Sequence, residues 1–430
     1  MNYLQDIRAS HQDPRRLEDL YQTAQRENKT DAFTTALLAC YEASPDDILY
    51  AAWTYRLQKE EQTKARSANW KLAVPLSVVM GLAFWILSDS TFKFDDNMPY
   101  LLLIWALIAG CFAIAFVTFT NGKHRNRSLL AATGLVVAGL YVTFFTLPSG
   151  HTHYRDLMVF HLPILAWIGV GLSVLGKESD VEDRFAFLAK SFEVFVTGGV
   201  YMIAGMIFVG VTYGMVETLG VSMPDTIERL LGAGGFGLIP MVAVASVYDP
   251  LARPAAQRFE QGVGKLISTL MSLLLPLTLL VLIIYLFIIP FNFSEPFDRR
   301  EVLIVYNGML FAIMGLLVGV TPVRGGKLSG KHQAALRTGI MAVAALTVIV
   351  SLYALSAIVS RTLDDRLTIN RLTVIGWNSI NTGILCLLIY RQFKDGPAAW
   401  IRSLQSVFSL GAVGYVVWTI FLILATPLLF

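Results

Sequence analysis

Hydrophobic and polar positions along this chain are segregated on the scale of whole helices. Eleven stretches, at 72–88, 99–120, 129–148, 157–175, 194–216, 230–248, 266–292, 302–323, 338–360, 372–390 and 403–430, contain no Asp, Glu, Lys or Arg. A bilayer's hydrocarbon core needs roughly 20 apolar residues of helix to cross it. The pattern therefore predicts an all-α fold, a polytopic transmembrane helical bundle of about 11 spans over 70–430, preceded by a small cytoplasmic helical segment at 1–69. The stretch at 230–248 is the least regular. It carries Gly232, Gly234, Gly235, Gly237 and Pro240, which predict a broken or re-entrant helix.

The polar segment 1–69 has its own helical signals. Asp13-Pro14 places a capping side chain before a proline at the first helical position and opens a helix to about Arg26. Thr30 or Asp31 is expected to cap a second helix through about Tyr41, and Ser44-Pro45 to open a third, to about Arg66. Leu17, Leu20, Tyr21 and Ala24 recur at helical spacing, as do Leu37, Leu38 and Tyr41. The segment lacks the apolar core of a signal peptide. It reads as a packed cap or as a docking surface for a cytoplasmic protein. Further along, residues 176–193 alternate Phe185, Phe187, Leu188 and Phe192 with Glu182, Asp183, Arg184 and Lys190, which suits a helix lying in the headgroup plane. The loop at 249–265, with Asp249-Pro250 and Pro254, has a weaker form of the same pattern.

Composition agrees with the span count. The chain has 430 residues, of which 55% are hydrophobic and 15% charged, against about 25% charged in soluble domains. A net charge of +3 gives no footing for a nucleic-acid partner; the lipid bilayer is the expected environment. Cys40, Cys111 and Cys386 form no Cys-x-x-Cys pair and imply no disulfide framework. Lys and Arg in the loops after even-numbered spans outnumber those after odd-numbered spans two to one. Positive charge stays on the cytoplasmic side, so the N-terminus is expected inside and the C-terminus outside. The arginines of the last two exterior loops run against this bias.

Candidate chemistry is sparse. His161 is the only titratable imidazole within a span. With His151, His153 and Asp156 it makes a loose metal-ligand set whose spacing is not diagnostic, so interfacial histidines with no metal are expected. The in-span polar residues are more informative: Gly376-Trp377-Asn378-Ser379-Ile380-Asn381 in span 10 and Asn307 in span 8. Amides at membrane depth must face protein or a wet cavity. Trp377, Asn378, Asn381 and Asn307 thus line a substrate path, or else they join helices by hydrogen bonds and close packing. Glu193 and Glu217, at the ends of span 5, are expected at the interface. No cofactor motif is present. Gly-Gly-Lys-Leu-Ser-Gly-Lys at 325–331 lacks the phosphate-loop pattern.

The densest polar run beside a span is 360–371. There Thr368 is expected to cap the tenth helix, with Arg371 in its first turn beside Asp364 or Asp365. Ala357-Ile358 with Arg361, then Leu367-Thr368 with Arg371, resembles the late signature of the bacterial domain-of-unknown-function 4153 membrane proteins; Asp365-Arg366 stands where Tyr-Gly is usual. The resemblance implies a multi-pass protein of a bacterial cytoplasmic (inner) membrane and brings no known activity. Three functions fit: a transporter-like domain handling a neutral or lipid-like substrate, a scaffold or sensor docking a partner through 1–69, and a membrane enzyme acting on a lipid-linked substrate through Asp95-Asp96. The absence of a catalytic motif favours a non-enzyme.

Overall fold

The computed structural model describes residues 3–10, 13–26, 29–64, 69–88, 100–122, 124–147, 152–176, 178–220, 222–259, 262–323 and 329–430. It divides into two compact units, Met1–Ser67 and Ala68–Phe430.

The first unit holds four helices: α1 (Tyr3–Arg8), α2 (Pro14–Arg26), α3 (Thr30–Ala43) and α4 (Ile48–Lys64). Asp13 caps α2 as expected, its Oδ1 accepting from the backbone N–H groups of Arg15 and Arg16 at 3.1 Å each. The other two starts differ from expectation. Thr30 is already helical, and Lys29 holds the cap position with no side-chain capping bond. Ser44-Pro45 does not open α4. Asp47 does, accepting from Leu49 N–H at 2.8 Å and Tyr50 N–H at 3.2 Å. An Asp carboxylate is a stronger acceptor for these orphan donors than a Ser hydroxyl three residues earlier. Helix α1 escapes sequence reading because six residues are too few to show a period. Ile7, Leu17, Tyr21, Phe33, Leu37 and Trp53 form the core. The Tyr21, Phe33 and Trp53 rings meet edge-on or tilted at 5.4–6.0 Å.

The second unit contains α5 (Trp70–Leu87), α6 (Tyr100–Asn121), α7 (Arg125–Thr146), α8 (Thr152–Val174), α9 (Val181–Thr218), α10 (Asp225–Arg229), α11 (Gly235–Val247), α12 (Gly262–Ile288), α13 (Glu295–Asp298), α14 (Arg300–Val320), α15 (Gly330–Asp364), α16 (Ile369–Asp395) and α17 (Trp400–Leu429). Eleven helical segments are long and apolar enough to cross a membrane, and no strand occurs among the described residues. The chain is an all-α, multi-pass membrane protein.

Span 6 is not broken. Helices α10 and α11 join through a π-turn at Leu230–Gly234, and the run Asp225–Val247 is one of the eleven. Gly81 and Gly237 make this possible. A Cβ on Gly237 would lie 2.9 Å from Gly81 Cα, and one on Gly81 would lie 2.8 Å from the Gly234 carbonyl oxygen. The backbones of α5 and this helix therefore touch, as small residues permit in lipid.

The expected headgroup-plane helix at 176–193 is instead the start of α9. Asp180 caps that helix by accepting from Asp183 N–H at 2.8 Å, and Phe185, Phe187, Lys190 and Glu193 are buried. The loop at 249–265 forms no interface helix either. Gln257 folds it back on itself, its amide bonding Asp249 N–H at 3.1 Å and the Asp249 carbonyl at 2.7 Å, with only a 3-10 turn at Pro254–Ala256.

The main core joins α12, α14, α15, α16 and α17, with Phe185 of α9. A second cluster lies among α6, α7 and α8, and a third among α5, α6 and α11. Helices α9 and α12 bury little of their most apolar windows, 6% and 11%, and expose Phe195, Ile207, Phe208, Leu273, Val281 and Phe287.

Candidate functional site

Helix α16 carries Trp377, Asn378, Asn381 and Thr382 on its buried side, and each of the first three meets a different neighbouring helix. Asn378 Nδ2 donates to Asn307 Oδ1 on α14 and to the Val374 carbonyl at 3.2 Å. Asn307 Nδ2 donates to the Leu303 carbonyl at 2.7 Å. Asn381 Oδ1 accepts from the Tyr415 hydroxyl of α17. Trp377 Nε1 donates to His161 Nε2 on α8 at 3.1 Å. The four substrate-path candidates thus lie along one seam, and Asn378 and Asn381, three residues apart, lean toward α14 and α17 respectively.

His161 is buried in the bundle, and its ring is fully employed. Nδ1 lies 2.7 Å from the Leu157 carbonyl, so that nitrogen carries the proton and Nε2 accepts from Trp377. This leaves no lone pair for a metal. His153 is exposed and His151 lies outside the described residues. No group of three His, Cys, Asp or Glu among the described residues can hold a metal.

Aromatic rings wall the seam. Trp377 packs edge-on to Tyr415 at 4.9 Å and to Phe311 at 5.5 Å. Gly376 lets Trp418 of α17 lie on the α16 backbone, where a Cβ would run into its ring. Four buried side-chain groups here have no partner: Asn381 Nδ2, Thr382 Oγ1, Trp418 Nε1 and Thr419 Oγ1. Each costs about 1–3 kcal/mol if left unmet. The seam therefore has closed pairs beside open polar groups, all uncharged. The Asn, Trp and Thr types were legible from their place inside a span. The contributions of Tyr415, Trp418 and Thr419 were not, since an apolar run gives no sign of which face it shows a neighbour.

Thr368 and Arg371 sit at the start of α16, about 14 Å and 9 Å along the axis from Trp377 at 1.5 Å per residue. Thr368 Oγ1 accepts from Arg371 N–H at 3.3 Å, capping the helix. Arg371 Nη1 lies 3.1 Å from Asp365 Oδ2 and donates to the Arg366 carbonyl at 2.6 Å. Asp365, rather than Asp364, thus offsets the cation in the first turn. Arg361, in the last turn of α15, has one Nη buried without a partner.

A second polar cluster, unseen in the sequence, joins α9 to the loop at 249–259. Lys190 Nζ donates to Glu193 Oε2 at 2.6 Å and to the Arg258 carbonyl at 2.5 Å, and it lies 4.8 Å from the Phe259 ring centre. Glu193 is therefore a buried ion-pair partner; Glu217 is exposed. Asp183 receives Arg253 at 2.6 Å and Ala255 N–H at 3.1 Å, and this raises the Arg253 pKa above its ordinary value. The apolar window beginning at 194 hid this cluster, because the charges lie before it on the same helix. Asp95-Asp96 and residues 324–328 lie outside the described residues.

No protein-family model matches the chain, and no curated protein or solved structure matches it.

Proposed function

We propose that the chain is a multi-pass protein of a bacterial cytoplasmic membrane that handles a neutral or lipid-like substrate along the α8–α14–α16–α17 seam. The observation that carries this reading is the group of four unpartnered polar atoms on α16 and α17, next to an aromatic wall and without a charge. Purely structural polar side chains in lipid close their bonds; these leave donors over. The lack of a carboxylate or cation in the seam supports an uncharged substrate and does not support proton coupling. The N-terminus is placed inside and the C-terminus outside by the bias of basic loops, and the domain-of-unknown-function 4153 resemblance through Arg361, Thr368 and Arg371 is consistent with a bacterial inner membrane.

The test is purification in mild detergent with mass spectrometry of retained small molecules. A stoichiometric compound that is lost on Asn381→Leu, in protein of unchanged elution and helicity, is the expected result. Retention of nothing by wild type, or equal retention by the variant, makes the seam packing alone. A second reading rests on the compact first unit, with a core of its own. It would serve as a scaffold's docking module, and a cytoplasmic protein lost on removing 1–69 would favour it.

A further inference from the structure

A cleft of about 520 Å³ lies away from the seam, among α5, α9 and the π-turned helix, lined by Gly81, Leu82, Gly205, Phe208, Leu230 and Leu231 with their neighbours. Its lining is almost wholly apolar. Leu82, Phe208 and Leu230 are 42%, 65% and 41% exposed, so the cleft opens on the lipid side. The π-turn at Leu230–Gly234 and the bare backbones of Gly81 and Gly205 form its walls.

At one end stands Arg229, immediately before the cleft-lining Leu230. Its Nε donates to Ser88 Oγ at 3.0 Å and one Nη to the Trp85 carbonyl at 3.1 Å and to the Ser88 carbonyl. Every one of these partners is neutral. Asp225 and Glu228, on the same short helix, make no ion pair with it, and no other described carboxylate does. A half-buried guanidinium at a span's end, held in place by carbonyls and a hydroxyl and with no counter-charge among the described residues, complements an anionic oxygen. Ser88 lies six residues beyond Leu82 on α5, about 9 Å along the helix, so charge and apolar cleft adjoin. Trp85, between them, donates from Nε1 to the Thr226 carbonyl at 3.1 Å, as an indole at the membrane–water boundary does.

We propose that this cleft binds one glycerophospholipid from the surrounding bilayer, an acyl chain lying between α5, α9 and the π-turn and the phosphate facing Arg229. A ligand with both an apolar chain and an anionic headgroup, as a glycerophospholipid has, satisfies the two features together. A free phosphate leaves the cleft unfilled and a neutral diacylglycerol leaves Arg229 uncompensated.

The experiment is native mass spectrometry of the full chain, delipidated in mild detergent and re-supplied with phosphatidylglycerol or with diacylglycerol of the same chains. Wild type is expected to retain one phosphatidylglycerol per chain and at least tenfold less diacylglycerol. Arg229→Gln is expected to abolish that preference, with Arg229→Lys restoring part of it. Gly205→Phe fills the cleft, since a Cβ there meets nothing closer than 3.5 Å, and should lower retention of both lipids. Equal retention of both lipids by wild type, or no retained lipid, overturns the proposal whether or not the variants fold. Loss with Gly205→Phe but not with Arg229→Gln, in folded protein, overturns the role given to the phosphate.

Discussion

Gly376 and Glu18 show how much a single position sets in each unit. The ring of Trp418 lies where a side chain at 376 would go. Gly376→Ala should therefore cost about 1–3 kcal/mol through overpacking, seen as a lower thermal midpoint in detergent. Trp418→Leu in the same chain should recover part of that loss; a full, undiminished cost in the double variant would show that the ring is not the obstacle. In the first unit Arg56 reaches Glu18 and lies 4.3 Å over the Trp53 ring. The hydrogen bond from Arg56 holds the Glu18 carboxyl below its ordinary value of 4.5. A depressed folded pKa means that the pair's contribution is complete above the ordinary value and is lost as pH falls through the lower folded one. Both side chains are partly exposed, so the effect is small and salt-sensitive. Hydrogen exchange of α2 and α4 amides should differ between wild type and Glu18→Gln near pH 6 and converge well below pH 4.5. A ratio that does not change with pH would remove the pair from the account of this unit's stability.

At the scale of elements, the buried Lys190–Glu193 pair fixes the loop at 249–259 to α9. Removing one partner of such a pair strands the other charge, and Lys190→Met should cost about 3–5 kcal/mol. Lys190→Met with Glu193→Leu should cost less than Lys190→Met alone in denaturant unfolding. An equal or larger loss in the double variant would show that the lysine acts through the Arg258 carbonyl and not through the carboxylate. The elements also mark where sequence reading stopped. All eleven spans were legible because lipid tolerates no charge over roughly 20 residues. The Asp13 and Thr368 caps were legible because capping is local chemistry. The continuity of α9 through Phe185 and Lys190 was not, since an amphipathic pattern looks alike whether its partner is a headgroup layer or a folded loop. The break expected at Gly232–Pro240 proved to be a π-turn, because glycines that weaken a helix also let α5 come close enough to support it. In the seam, Asn378 and Asn381 could be named beforehand. Asn307, Tyr415 and His161, the partners of Asn378, Asn381 and Trp377, lie 71, 34 and 216 residues away along the chain, and that pairing is a property of the folded bundle.

For the whole molecule, hydrogen bonds join alternate inter-helix ends. Tyr154 and Tyr141 reach the Ile423 and Leu424 carbonyls at 2.8 Å each near one end. Arg337 reaches Gln392 at 3.0 Å and 2.7 Å near the other. This up-and-down order agrees with an odd number of crossings, so the chain's ends are predicted to lie on opposite sides. Single cysteines introduced at Ser44 and at Phe430, in a chain whose native cysteines are replaced, should react with a membrane-impermeant maleimide from opposite faces of sealed vesicles. Labelling of both from one face would remove one crossing from the scheme.

The length of α9 carries a consequence for the bilayer itself. Its 38 residues rise about 57 Å, while a hydrocarbon core is about 30 Å thick. The excess at its start is clothed by the 249–259 loop and anchored by Asp183 and Lys190, so that end cannot slide into lipid. A membrane of different thickness must therefore be met at the far end, by tilt or by wetting the last turns before Thr218. The protein has one fixed and one adjustable boundary, and its response to hydrophobic mismatch is directional.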